Sequence, residues 1–224
     1  AGDAKALAAA AQVWSAAAEA AQVCLRQTAA LFHQRDWQSA RELSLAATPL
    51  AAVTGTRSDV FDLLYYAAAS CYKLNRLTEC IDRYSDAIAS LAQTPPPDGR
   101  LSAAYDNRGL PLLESGRVDD ALHDFASAGD YVPADDVKGR GSIDNQRAGA
   151  LLQIAMYRQS IALYLRALAT IDDQTDDRRA ITTDNLAQAY ELAGWRPQAV
   201  AAYEQANRLL ADHPAHDRYV NAVR

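Results

Sequence analysis

No uninterrupted apolar run of about eighteen residues occurs in the chain, which argues against a membrane-spanning helix of ordinary length. The alanine-rich stretch 6–24 comes nearest. Gln12, Ser15, Glu19 and Gln22 interrupt it, so it reads as a water-facing helix and not as the apolar core of a signal peptide. Cysteine is scarce: Cys24, Cys71 and Cys80 make an odd count without a CxxC pair, which argues against a disulfide framework or a zinc knuckle. Cys71 and Cys80 are expected as small, buried, reduced side chains. Lysine is limited to Lys5, Lys73 and Lys138, and the excess of arginine reads as the coding bias of a GC-rich, bacterial genome. The net charge is −6, with most of the excess acid after residue 100 and no basic stripe, so nucleic acid is not an expected partner.

Recognisable chemistry is missing too. There is no GxSxG elbow, no phosphate-cradling glycine loop and no HExxH, and several of the ten glycines mark helix ends. The run Asp172-Asp173-Gln174-Thr175-Asp176-Asp177 lacks the glycine and terminal glutamate of a calcium loop, and acid ahead of a helix start suits the helix dipole without a metal. His213 and His216 have no further ligands in view and are expected at the surface. No enzymatic activity, metal or cofactor is therefore expected.

What is present is alanine, which supplies much of the 50% hydrophobic content, while aromatics reach only 8%. That composition favours helices. The stretch from Leu101 to Pro133 shows how they are organised: small residues at Gly109, Ala121 and Ala128, aromatics at Tyr105 and Phe125, and a Ser115-Gly116 turn between two helix-like halves. Small side chains at these offsets let two helices approach closely. The same template returns at a stride of roughly forty residues. Its second-helix small position falls at Ala40, Cys80, Ala121, Ser160 and Ala199. Four residues on come Ser44, Tyr84, Phe125, Tyr164 and Tyr203, and three further Ala47, Ala87, Ala128, Ala167 and Ala206. Twelve residues earlier the positions read Thr28, Ala68, Gly109, Ala148 and Ala187. The first copy, with Thr28 and Ser44, departs most, as terminal repeats do.

This pattern resembles the tetratricopeptide (TPR) repeat, in the long variety found in kinesin light chains and bacterial signalling proteins. The resemblance implies an all-α, right-handed solenoid of about five helix hairpins, here over 21–54, 61–94, 102–135, 141–174 and 180–213. An N-terminal helical extension and a capping helix over 214–224 complete a single domain.

Local signals fill in the frame. One long helix, or two nearly collinear ones, is expected over 3–34, with Asp36 as the N-cap of the next, which carries Trp37, Ala40, Leu43 and Ala47 and stops near Pro49. Thr56 and Asp59 have capping-box spacing, and Asn75 is read as opening the partner helix. The run Thr94-Pro95-Pro96-Pro97-Asp98-Gly99 is read as an inter-repeat loop, because the template continues in phase beyond it. Pro197 sits in the first turn of a helix, where its missing amide costs little.

In stacked hairpins the first helices line the concave surface, and the residues two and three before the first-helix small position face it. These are Tyr65 and Tyr66, Asp106 and Asn107, Asn145 and Gln146, Asp184 and Asn185, with Leu25 and Arg26 in the first copy. Amides there can donate and accept at once, matching the backbone of an extended ligand. Similar asparagines hold peptide backbones in kinesin light chains, which implies that role for Asn107, Gln146 and Asn185. The expected contact set is Tyr65, Tyr66, Asn107, Arg108, Asn145, Gln146, Asp184, Asn185 and Gln188. The leading expectation is recognition of a peptide or protein segment, one with some positive charge toward the acidic C-terminal repeats. The alternatives are a sensor or regulatory domain of a larger signalling protein, or an envelope assembly or secretion factor. An export signal ahead of Ala1 would place the chain in the periplasm instead of the cytoplasm. Oligomeric state stays open.

Overall fold

The computed structural model describes residues 2–93, 95, 98–171 and 177–211, with the backbone alone described for 2–8, 177 and 211. The expected cap over 214–224, the pair His213 and His216, and residues 172–176 of the acidic run lie outside the described residues. Ten helices and no strand are found among the described residues. The chain forms two compact units, Ala1–Gly116 and Arg117–Arg224.

The first unit contains α1 (Gly2–His33), α2 (Trp37–Thr54), α3 (Arg57–Lys73), α4 (Leu77–Ser90) and α5 (Gly99–Glu114). Each helix folds back on its predecessor, and α3 also touches both α1 and α5, so the first helices of successive repeats lie side by side. The second unit contains α6 (Val118–Tyr131), α7 (Val137–Gln153), α8 (Tyr157–Ala169), α9 (Asp177–Leu192) and α10 (Arg196–Ala211). It is built the same way, with α7 against α9.

The turns explain the fixed stride. Arg35, Asn75, Gly116, Ala155 and Gly194 all have left-handed backbone, with φ of 64°, 57°, 76°, 59° and 78°. Each follows a helix end and donates its own amide to the carbonyl three residues back; after Ala155, which donates to Leu152 O, Met156 N donates to Leu151 O as well. The same pair of bonds recurs at 35/36, 75/76 and 194/195. This is the glycine-type helix stop, made here twice with glycine and three times without. Asn75 therefore does not open α4. It supplies the left-handed turn, which asparagine tolerates better than most residues, and α4 starts at Leu77.

Four helix starts, those of α2, α3, α5 and α7, are capped by side chains, while α4, α6 and α8 start without a side-chain cap. Asp36, Asp98 and Asp136 accept from amides of the first turn of α2, α5 and α7. Thr56 and Asp59 form the full capping box of α3. The expected stop near Pro49 is not observed, because α2 continues to Thr54. Its two C-terminal turns carry Ala47 and the fully buried Ala51 into a core with Ala21 and Leu63. Packing there outweighs the one helical hydrogen bond that proline cannot donate.

The repeat template is the core. Its small positions are buried in every copy, as are the second-helix aromatics except Tyr203, which is half-buried like Tyr105 on α5. Thr28 and Ser44, the apparent misfits, are fully buried as well, and the Ser44 hydroxyl donates to the Ala40 carbonyl at 2.8 Å. In the fourth copy the buried Ser160 hydroxyl ties the hairpin together by donating to the Ala148 carbonyl at 2.8 Å. Cys71 and Cys80 are buried free thiols. Burial pushes the Cys80 thiol up to about 12, which keeps it unreactive.

Candidate functional site

Residues two and three before the first-helix small positions follow a 3.6-residue period, so those small residues are buried while these sit at the rim of the same helix. Tyr65, Tyr66, Asp106, Asn107 and Arg108 in unit 1 are all half-buried. In unit 2, Asn145, Gln146, Asp184 and Asn185 are half-buried and Gln188 is exposed.

In unit 1 the two tyrosines belong to a chain of rings. Phe32 lies 5.1 Å from Trp37 and 5.5 Å from Tyr66, and Tyr66 meets Tyr65 edge-on at 6.5 Å. Tyr65 in turn contacts Phe61 and Tyr84, at 5.8 Å and 5.5 Å. Neighbouring repeats are thus joined through aromatic edges and faces, at distances where such pairs attract. Asn107 completes the link: its Nδ2 donates to the Tyr65 hydroxyl and to the Ala103 carbonyl, both at 2.8 Å. Both amide hydrogens are committed within the unit, and the carbonyl oxygen is what Asn107 has left to present. Arg108 is engaged as well, donating to the Ser85 hydroxyl at 2.9 Å while lying over the Tyr105 ring at 5.5 Å.

Asp106 behaves differently. Its Oδ1 is closed off from water without a hydrogen-bond partner in the structure, and burial lifts its carboxyl from 3.8 to about 6. The same charge, close to Tyr65, helps to raise that phenol, second to burial. A carboxylate held at a helix rim against its own desolvation is a group that a ligand donor would relieve. Asp106 stood among the groove-facing residues by spacing but outside the expected contact set; only the packing around it reveals the penalty.

In unit 2, Asn145 and Gln146 line a cleft of about 200 Å³ formed by α7, the end of α8 and α9. Lys138 and Ser142 share the α7 side, with Arg178 and Thr182 opposite. Gly141 lets the backbone of α7 approach Thr170, since a Cβ at 141 would lie 1.9 Å from the threonine hydroxyl. Asn145 Oδ1, like Asp106 Oδ1, is buried without a hydrogen-bond partner. Asp184, Asn185 and Gln188 lie further along α9 and do not line this cleft. Among the described residues no group of three or more His, Cys, Asp or Glu could hold a metal ion. No helix among them is long and apolar enough to cross a membrane.

No family model and no curated protein sequence matches the chain. Solved structures do. BtubC (BKLC) from P. vanneervenii superposes with a TM-score of 0.73 at 15% identity, over 88% of this chain and 89% of that one. The TPR-like repeats of a kinesin light chain from Podosopora anserina give 0.69 at 16% identity, over 85% and 94%. YrrB, described as a TPR protein with an unusual peptide-binding site, gives 0.61 at 15% identity, over 84% and 86%. At such identities the likeness concerns the fold, and it agrees with the repeat template, the burial of its positions and the recurring left-handed turns. The chain has the fold of tetratricopeptide-repeat proteins.

Proposed function

We propose that the chain is a non-enzymatic interaction module that holds a peptide or protein segment against the rims of its first helices. The observation that carries this reading is a matched pair of oxygens. Asp106 Oδ1 in unit 1 and Asn145 Oδ1 in unit 2 occupy the same place in their repeats, three residues before the small position, and both lack a donor. Leaving such an acceptor unmatched costs about 1–3 kcal/mol, more when charged. An extended segment laid along the first-helix rims of either unit supplies main-chain N–H groups at that level. Within unit 2, Gln146 and Asn185, one residue on, then meet its carbonyls. Tyr65 and Tyr66 give unit 1 an apolar anchor beside Asp106, which favours a ligand group carrying positive charge there. YrrB, with the same fold, is a protein described by its peptide-binding site.

The test begins with selection from a displayed library of random peptides, followed by calorimetric titration of the enriched sequence. The variant Gln146→Ala with Asn185→Ala is expected to bind it roughly tenfold or more weakly, as two lost hydrogen bonds require. Its helix content should not change. Failure to enrich any peptide, or equal affinity of the variant, would reject the reading.

A further inference from the structure

A second cleft lies on the opposite face of α7. The residues Arg140, Asp144 and Arg147 are spaced four and three apart, so they share one side of that helix, away from Asn145 and Gln146. With Arg166 from α8 and Gly129 from α6 they border a cavity of about 360 Å³, floored by the buried side chains of Val132 and Ile143. All of it belongs to unit 2.

Its charges are ordered from within. Asp144 is buried, and Arg166 Nη2 lies 3.0 Å from its carboxylate. The Arg147 guanidinium is close enough to act on the same carboxylate. Arg147 Nε, however, is closed off from water with no hydrogen-bond partner in the structure. Arg140 makes one long contact, donating from Nη2 to the Pro133 carbonyl at 3.4 Å. Counting the exposed Asp130, which also borders the cleft, three guanidinium groups face two carboxylates and leave one net positive charge in a chain whose total is −6. Ordinary solvation accounts for Arg140 and Arg166. It does not account for Arg147 Nε.

Gly129 also borders the cleft. It lies within α6, where glycine costs about 1 kcal/mol relative to alanine, yet a Cβ built there meets nothing within 4 Å.

We propose that this cleft binds a phosphate group, free or carried by a small monoester. Guanidinium groups arriving from two helices can engage several oxygens of a tetrahedral anion at once, which a flat carboxylate matches less well. Asp144 acts as the positioning residue that holds Arg166 and Arg147 toward the opening. The apolar floor leaves room for the organic part of an ester. The site stands apart from the peptide reading, because it uses the other side of α7.

The experiment is titration of the full chain with inorganic phosphate and, separately, with glycerol 3-phosphate, followed by amide chemical shifts at constant ionic strength. Saturable shifts centred on 126–147 are expected with at least one probe, and which probe is tighter distinguishes a free anion from an ester. Arg147→Gln should weaken binding about tenfold or more. Gly129→Leu, which fills the cleft without changing charge, should abolish it and guards against a folding defect in the arginine variant. Arg158→Gln, on a different surface, should leave it intact. No saturable response beyond matched chloride, or a response that survives both cleft variants, overturns the proposal.

Discussion

Replacing Asp106 by asparagine should stabilise the protein, and by an amount that depends on pH. Burial raises the carboxyl from 3.8 to about 6, so the folded chain holds a proton that the unfolded chain releases. Below pH 3.8 both states are protonated and the residue costs nothing extra. As pH rises through that value the unfolded state ionises first, and the penalty on folding grows until it levels off above pH 6. The difference in pKa corresponds to roughly 3 kcal/mol at the plateau and about 1 kcal/mol near pH 4.5. Asparagine keeps the shape, already occupies the matching place at 145, and removes the charge. Guanidinium unfolding of wild type and Asp106→Asn at pH 4.5 and 7.5 measures both ends. The gain should be larger at pH 7.5, by about 2 kcal/mol. An equal gain at the two pH values, or a loss at pH 7.5, would refute the claim that this carboxylate is held against its own desolvation. The same titration bears on function: a cationic ligand that pairs with Asp106 should bind more tightly as pH rises through 6.

Two backbone predictions follow from the turns and the glycines. Ala155→Gly should stabilise by about 0.5–1 kcal/mol, because alanine at φ 59° carries a left-handed penalty of about 1–2 kcal/mol that exceeds the chain entropy added by glycine; a lower unfolding midpoint would contradict this. Alanine should act in opposite directions at two glycines of unit 2. Gly129→Ala meets open space and should stabilise by about 0.5–1 kcal/mol. Gly141→Ala, whose Cβ would fall within 3.1 Å of three side-chain atoms of a stiff threonine, should destabilise by about 1–3 kcal/mol. Thermal unfolding of the pair decides it, and shifts of the same sign would be the wrong result.

The repeat was legible in the sequence because it rests on side-chain size at fixed offsets, and size is what a close helix crossing selects. Even Thr28 and Ser44 obey it once polarity is set aside, since both are small enough to be fully buried. Local chemistry was legible where one residue decides the outcome, as at the Asp36 cap and the Thr56–Asp59 box. It misled where tertiary packing overrides a local preference: Pro49 signals a stop, but the core contacts of Ala47 and Ala51 carry α2 past it. Asn75 misled for a related reason, because a residue at home in a cap is equally at home in a left-handed turn.

Which polar groups remain available was not legible, and the reason is geometric. Periodicity assigns Asn107 and Asn145 to the same side of their helices and treats them alike. The hydrogens of Asn107 are nevertheless committed in part to Tyr65, a partner 42 residues away on another helix, while the Asn145 oxygen has no partner. Arg108 is likewise drawn to Ser85 on α4. The arginine cleft is hidden from sequence in the same way, since Arg140 and Arg147 acquire meaning only when α8 brings Arg166 to Asp144 and α6 leaves Gly129 open. A repeat sequence therefore specifies which side chains share a helix rim. The donors and acceptors that such a rim still has to offer are set by side chains reaching across from a neighbouring helix, so if the proposed segment binds there, substitutions at Tyr65 or Ser85 should alter its affinity as strongly as substitutions at Asn107 or Arg108 themselves.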